Sequence, residues 1–347
     1  MAMVLVIAAA LWFIGHVTRA PYSARFLMIG LLYVAVLAMQ IALPDGHPLR
    51  EATGGSAGEW FVIGLLGVLI WVYSKGLKAI KARVRPENAA KTTDRTKTSA
   101  SELERNARHI VLREIGGPGQ KRLKEARVLV IGAGGLGAPA LQYLAAAGVG
   151  TIGVIDDDVV ENSNLQRQVI HTDARIGMPK VFSAEQAMVA QNPFVTVRPY
   201  HRRLTADIAE DLFSDYDMIL DGSDNAETRY LVNDVAVKLG LPLVSAALSQ
   251  WEGQISVFDP SRGAPCYRCI FPEPAAAGLA PSCAEGGVFG PLPGVMGAMM
   301  AVEAMKLLAD AGDPLLGRML IYDALYSETR VIGIKRLKDC PMCRAVT

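Results

Sequence analysis

Cysteine is missing from the first 265 residues of this 347-residue chain, so no disulfide can staple that part. An excess of charge is missing too. There are 35 Lys and Arg against 34 Asp and Glu, a net of +1. That balance gives no global electrostatic reason to bind nucleic acid. The opening Met1-Ala-Met-Val lacks the positive charge with which a secretory signal peptide begins. Three early segments, 1–17, 26–43 and 60–73, lack Lys, Arg, Asp and Glu altogether. They are apolar on every side, which excludes ordinary amphipathic surface helices.

These segments raise the mean hydropathy to +0.26. Spanning a bilayer takes about 20 residues, with a range of about 17–25. The sequence therefore predicts a transmembrane region over 1–74 with about three helices. Trp60, Trp71 and Tyr73 near the ends of the third fit interfacial aromatics. Arg19 and Arg25 lie in the first loop, and Lys75, Lys78, Lys81, Arg83 and Arg85 follow the third segment. The positive-inside bias then puts everything after residue 75 in the cytoplasm, at the cell or inner membrane. Residues 75–104 read as a basic juxtamembrane linker with too few large apolar residues to fold alone.

From 105 to 347 the pattern is α/β. A short helix before Gly116-Gly-Pro-Gly119 is expected to break there, with a second over 120–126. The centre of the chain is the stretch from Arg127 to Gln168. An apolar strand, Val128 to Ile131, meets Gly132-Ala-Gly134-Gly135-Leu-Gly137, then a helix, then a strand ending in Asp156. Strand, glycine turn, helix, strand and acid make a nucleotide site. Glycines let backbone N–H groups approach phosphates, and the acid can bind ribose hydroxyls. Strands alternate with helices down to about residue 246, then follow one another as in a meander around a helix at 294–309. The expected fold class is a Rossmann-like doubly wound sheet continuing into a mixed or antiparallel half, preceded by about three transmembrane helices.

The glycine turn alone does not separate a held redox cofactor from a consumed ATP. Asn164-Leu-Gln-Arg167-Gln168 and Lys180 favour ATP, because several cations near the turn can hold a triphosphate and its leaving pyrophosphate. In isolation, Arg167 fits a structural ion pair and Lys180 a solvated helix start. Asp224, beside Asn225 past a central strand, can hold Mg²⁺ with phosphate oxygens or cap the next helix. Cys266-x-x-Cys269 and Cys340-x-x-Cys343, about 70 residues apart, suit one tetrahedral Zn²⁺ site. Cys283, in a glycine-rich loop, is either a small buried hydrophobe or a nucleophile.

Taken together, Arg108-His-Ile, the glycine turn, Asp156-Asp-Asp158, the Asn164–Gln168 run, Pro179-Lys180, Ser223-Asp224-Asn225, Glu252-Gly-Gln254, both cysteine pairs and Tyr322-Asp-Ala resemble the MoeB/ThiF/HesA adenylyltransferases. The resemblance covers about residues 102–347. It implies ATP-dependent adenylation of the C-terminal Gly-Gly of a ubiquitin-fold sulfur-carrier protein. The small subunit of molybdopterin synthase is the first expectation, as in molybdenum cofactor biosynthesis, and the thiamine-pathway carrier the second. By the same resemblance, Asp156 binds ribose, Arg167 and Lys180 contact phosphates, and Asp224 positions Mg²⁺. Arg108 reaches into a neighbouring subunit, which implies a homodimer. Cys283 matches a loop cysteine that some members use for sulfur transfer, and a separate protein is the expected sulfur donor. Asn106 departs from the family's Tyr, which bears on how the arm carrying Arg108 packs. A membrane-tethered NAD-dependent oxidoreductase is the alternative from another class.

Overall fold

The computed structural model describes residues 2–18, 22–54, 56–84, 98–274 and 286–346. It divides into two units, Met1–Lys97 and Thr98–Thr347.

The first unit holds α1 (Ala2–Val17), α2 (Tyr22–Ala42), α3 (Pro48–Thr53) and α4 (Ala57–Val84). Its buried cluster is small: Val4, Val36 and Trp60. Side chains satisfy the carbonyls left open where α2 ends and α3 turns. Gln40 Nε2 donates to Arg50 O at 3.1 Å, Arg50 to Leu43 O at 3.0 Å, and Trp60 Nε1 to Gly54 O at 2.9 Å. The outer faces are apolar and open. Leu27, Leu31, Leu65 and Leu66 each expose more than half their surface.

The expectation of three spans needs correction. Among the described residues two helices are long and apolar enough to cross a membrane, and only Ala24–Ala42 belongs to this unit. Met3–Gly15 and Ala57–Leu69 are apolar but shorter. The other qualifying helix, Pro291–Ala309, lies in the second unit with 56% of its apolar window buried. α4 also continues to Val84, so the basic residues from Lys75 extend the same helix.

The second unit opens with α5 (Ala100–Ile110) and α6 (Gly116–Glu125). The glycine-proline run begins α6, where a break was expected. Gly116 takes φ +58, which ends the preceding turn. Pro118 then falls in the first helical turn, where its missing N–H costs no intrahelical bond.

An eight-stranded sheet follows in the order β3-β2-β1-β4-β5-β6-β7-β8. Its strands are β1 (Arg127–Ile131), β2 (Thr151–Ile155), β3 (Thr196–Tyr200), β4 (Met218–Asp221), β5 (Leu243–Leu248), β6 (Glu252–Phe258), β7 (Arg318–Asp323) and β8 (Glu328–Gly333). The first five pair in parallel and the last three antiparallel, as the change in strand spacing predicts. The helices between them are α7 (Gly137–Ala146), α8 (Lys180–Gln191), α9 (Ala206–Ser214), α10 (Ala226–Leu239), α11 (Tyr267–Ile270) and α12 (Pro291–Ala309). α12 is buried along much of its length because it packs on α7, β5 and β6. One core cluster includes Val128, Leu141, Val154 and Met300, and another Leu129, Phe213 and Ile219. β1 feeds both, because alternate residues face opposite sides of the sheet.

Candidate active site

Strand order reverses between β1 and β4, and at their carboxyl ends the chain opens a cavity of 760 Å³. That is where open α/β sheets hold ligands. Gly132, Gly134, Gly135, Asp156, Asp157, Asp158, Arg167, Gln168, Lys180, Asp224 and Asn225 all line it.

The glycines divide by role. Gly132 sits at φ +91, where a side chain is strained, and packs beside Gly222 O of the next strand's loop. A Cβ on Gly137 would overlap Gly132 O, so Gly137 closes the turn and lies outside the cavity lining. Gly134 and Gly135 face the cavity.

Asp156 is set by two backbone donors. Its Oδ2 accepts from Ala133 N–H at 2.8 Å and its Oδ1 from Asp158 N–H at 2.8 Å. Each oxygen keeps a lone pair for a hydroxyl. Burial pushes this carboxyl above its ordinary value of 3.8, against the pull of Lys180 and the two N–H groups. Lys180 is buried at the start of α8, its Nζ 2.7 Å from Asp158 Oδ2. Asp158 is itself exposed, so a phosphate can compete for that ammonium. Arg167 donates to Ser163 O at 3.1 Å.

Asp224 is exposed and makes no side-chain hydrogen bond among the described residues. The capping alternative falls to its neighbour: Asn225 Oδ1 accepts from Thr228 N at 2.9 Å and starts α10. The loop before Asp224 is held from beneath. The buried Asp221 carboxylate accepts from Ser223 N at 3.0 Å, Ser223 Oγ at 2.6 Å and Ser245 Oγ at 2.9 Å. Arg229 lies 3.5 Å from Asp221 Oδ2 and donates to Ala246 O at 2.8 Å and to Ser223 O. A free carboxylate on a fixed loop at a phosphate site is a fit for Mg²⁺.

Several residues missed in the sequence also line the cavity. Arg202 and Arg203 stand just past the carboxyl end of β3, a position that alone marks a candidate ligand group. Arg229 lies on α10 and carries no local motif, whereas Gln254, on β6, belongs to the Glu252-Gly-Gln254 run that carries the resemblance.

Two further expected residues lie elsewhere. Asn164 is buried with its Oδ1 accepting from Glu161 N at 3.3 Å, closing the short turn that presents Arg167, and does not line the cavity. Arg108 is exposed on α5 and outside this chain's own cavity. Its helix is anchored: Arg105 donates to Gln191 O at 2.7 Å, and Asn106 is buried against Gly148. The residue at the position where the resemblance expects a Tyr is thus packed inside rather than exposed. Cys283 falls outside the described residues.

Cys266, Cys269, Cys340 and Cys343 form a separate buried cluster. Their sulfurs are 3.8 Å apart for Cys266–Cys269, 3.6 Å for Cys266–Cys340 and 3.5 Å for Cys269–Cys343. Zinc–sulfur bonds of about 2.3 Å place tetrahedral sulfurs at about 3.8 Å, so the set fits Zn²⁺. Burial raises the Cys266 and Cys269 thiols, so thiolates there need a cation beside them.

The sequence model of the ThiF family matches residues 106–342. A sulfur carrier protein adenylyltransferase from Thermus thermophilus is 50% identical over 246 residues, covering 70% of this chain and 91% of that protein. A probable adenylyltransferase/sulfurtransferase, MoeZ, from Mycobacterium tuberculosis is 52% identical over 246 residues; the match spans 70% of this chain and 63% of MoeZ. A crystal structure of E. coli MccB with ATP superposes with a TM-score of 0.56 at 21% identity, over 65% of this chain and 68% of that one, which shows a shared fold. The oxidoreductase alternative gains no support from these relatives. The family match begins after the apolar helices, which lie outside it.

Proposed function

Because the chain belongs to the ThiF family, we propose that it adenylates the C-terminal carboxylate of a ubiquitin-fold sulfur-carrier protein with ATP. The observation that carries this is one cavity holding Asp156, Arg167, Lys180 and an unpaired Asp224 at the β1–β4 reversal. The name of the Thermus relative supports the reaction class. A carrier carboxylate oxygen attacks the α-phosphorus, the bond to the bridging β-oxygen breaks, and pyrophosphate leaves with its electron pair. Asp156 accepts from ribose hydroxyls. Lys180 and Arg167 stabilise charge on the triphosphate, where preorganised cations in a sheltered site lower the barrier most. Arg202 and Arg203 add positive charge on the β3 side. Asp224 would hold Mg²⁺ to neutralise phosphate charge, and the four cysteines would hold Zn²⁺, tying the C-terminal residues to α11.

The carrier we favour is the small subunit of molybdopterin synthase. Its support is the resemblance carried by Asn164–Gln168 together with both cysteine pairs. Purified molybdopterin-type and thiamine-type carriers, assayed side by side for ATP–pyrophosphate exchange, decide between them. The active form is a homodimer in which Arg108 completes the neighbouring site. Its support is an exposed Arg108 on a firmly anchored α5, and the test is whether an Arg108→Ala chain and an Asp224→Ala chain, each inactive alone, restore exchange when mixed. Sulfur comes from a separate donor, with Cys283 as the candidate acceptor on this chain. The first unit anchors the enzyme in the cell membrane with the second unit in the cytoplasm. The open apolar faces of α1, α2 and α4 support this, and fractionation of the full chain with membranes tests it.

A further inference from the structure

His171 belongs to no motif that the reaction uses, yet it joins two walls of the cavity. It lies between the Asn164 turn and α8 and is 5% exposed. Its Nε2 is 2.9 Å from Ala133 O, in the glycine turn. Its Nδ1 is 2.9 Å from Ser183 Oγ, on the helix that begins with Lys180.

The chemistry of the partners fixes the proton. A carbonyl only accepts, so Nε2 must carry the hydrogen. In the neutral ring Nδ1 is then the acceptor, and the Ser183 hydroxyl donates to it. Ala133 is held on both sides: its N–H, in the Gly132–Ala133 peptide, by Asp156 Oδ2 at 2.8 Å, and its C=O, in the Ala133–Gly134 peptide, by His171. The Ala133–Gly134 peptide plane is rigid, so holding its C=O sets the direction of the Gly134 N–H, which shares that plane. Through Ser183 the same ring fixes the first turn of α8, whose Lys180 returns to Asp158 beside Asp156. Glycine turn, ribose acid and phosphate lysine thus form one closed circuit of hydrogen bonds, and His171 is its only imidazole.

We propose that His171 is a positioning residue for the nucleotide: as the Nε2–H tautomer it locks the Ala133–Gly134 peptide and α8 into the geometry that receives ATP. The lock acts on ATP binding and not on the carrier. This rests on the nucleotide reading of the cavity, so the test separates the two.

Full-length protein labelled with ¹⁵N at its five histidines gives the tautomer directly, with the His171→Gln spectrum assigning the signal. The expected signal is a protonated Nε2 and an unprotonated Nδ1. In kinetics, His171→Leu raises the KM for ATP about tenfold or more, the scale of one lost buried hydrogen bond. The KM for carrier and the zinc content stay at wild-type values. His171→Gln, which keeps a donor near the Nε2 position, restores most of the ATP affinity. Should His171→Leu fail to fold, Ser183→Ala replaces it: it keeps the Nε2–H bond to Ala133 O but cuts the ring's tie to α8, and raises the same KM severalfold. A protonated Nδ1, a folded variant with unchanged KM for ATP, or equal losses for ATP and carrier would overturn the lock. Wild-type protein that binds no ATP would remove the nucleotide reading, while the tautomer would still decide the hydrogen-bond circuit.

Discussion

The two units treat apolar side chains in opposite ways. In Thr98–Thr347 they go inward: every residue of β2 is buried, and α12, apolar enough to cross a membrane, is packed on α7 and the sheet. In Met1–Lys97 they face outward from α1, α2 and α4 around a buried cluster of three. The polar groups invert as well. In the second unit Asp221, Arg229 and Lys180 are buried at the ligand cavity, while in the first the buried Gln40 closes a turn between helices. Hydropathy therefore marks an apolar segment but not its surroundings. Only the company of other elements tells α12 from α2.

Breaking that contrast has its largest effect at the cavity. Asp224→Ala should lower carrier-dependent ATP–pyrophosphate exchange by about 10³-fold, the scale for removing one charge-stabilising group. The thermal midpoint should stay put, because Asn225 and not Asp224 caps α10.

Next is the apolar surface. Leu31 and Val111 are both exposed, at 62% and 75%. On the proposed membrane reading, Leu31→Arg places a charge within the apolar window Ala24–Ala42 and should cost about 3 kcal/mol of insertion. Val111→Arg, in the second unit, should change stability by less than about 0.5 kcal/mol. Equal effects in fractionation and melting would erase the distinction between the units.

A smaller effect concerns pH. Burial, with Lys180 and Arg175 nearby, lowers the His171 imidazole below its ordinary 6.5. The unfolded chain then takes up the proton first as pH falls through 6.5. Folding stability from this group is complete above 6.5 and declines below it, levelling off at the lowered folded value. Melting of the wild type should show this acid slope, and His171→Gln should flatten it.

Asp156 has the other sign. Its raised pKa makes the carboxylate costly in the empty cavity at neutral pH, and that cost fades as pH falls through the raised value toward 3.8. Ribose binding needs an acceptor, so ATP affinity should fall over the same window while Asp156→Asn shows a flatter profile.

Much of this site was legible in the sequence because its chemistry is local. Gly132 to Gly137, Asp156, Arg167 and Lys180 lie within one βαβ passage, where spacing fixes neighbours. The eight-strand order follows the switch from strand–helix alternation to a meander. Arg229 was not legible, since α10 brings it to the cavity from a distant part of the chain. Asn164 and Asn225 were legible as polar residues near the site, but their side chains close a turn and cap a helix, which only hydrogen-bond geometry reveals. The glycine-proline run at 116–119 misled because Pro118 breaks a helix only beyond its first turn.

The most direct measurement is ATP–pyrophosphate exchange by the purified full-length chain with and without added sulfur-carrier protein. The account predicts label entering ATP only when the carrier is present, and loss of that signal in Asp224→Ala. Exchange that ignores the carrier, or that survives Asp224→Ala at wild-type rate, would contradict it.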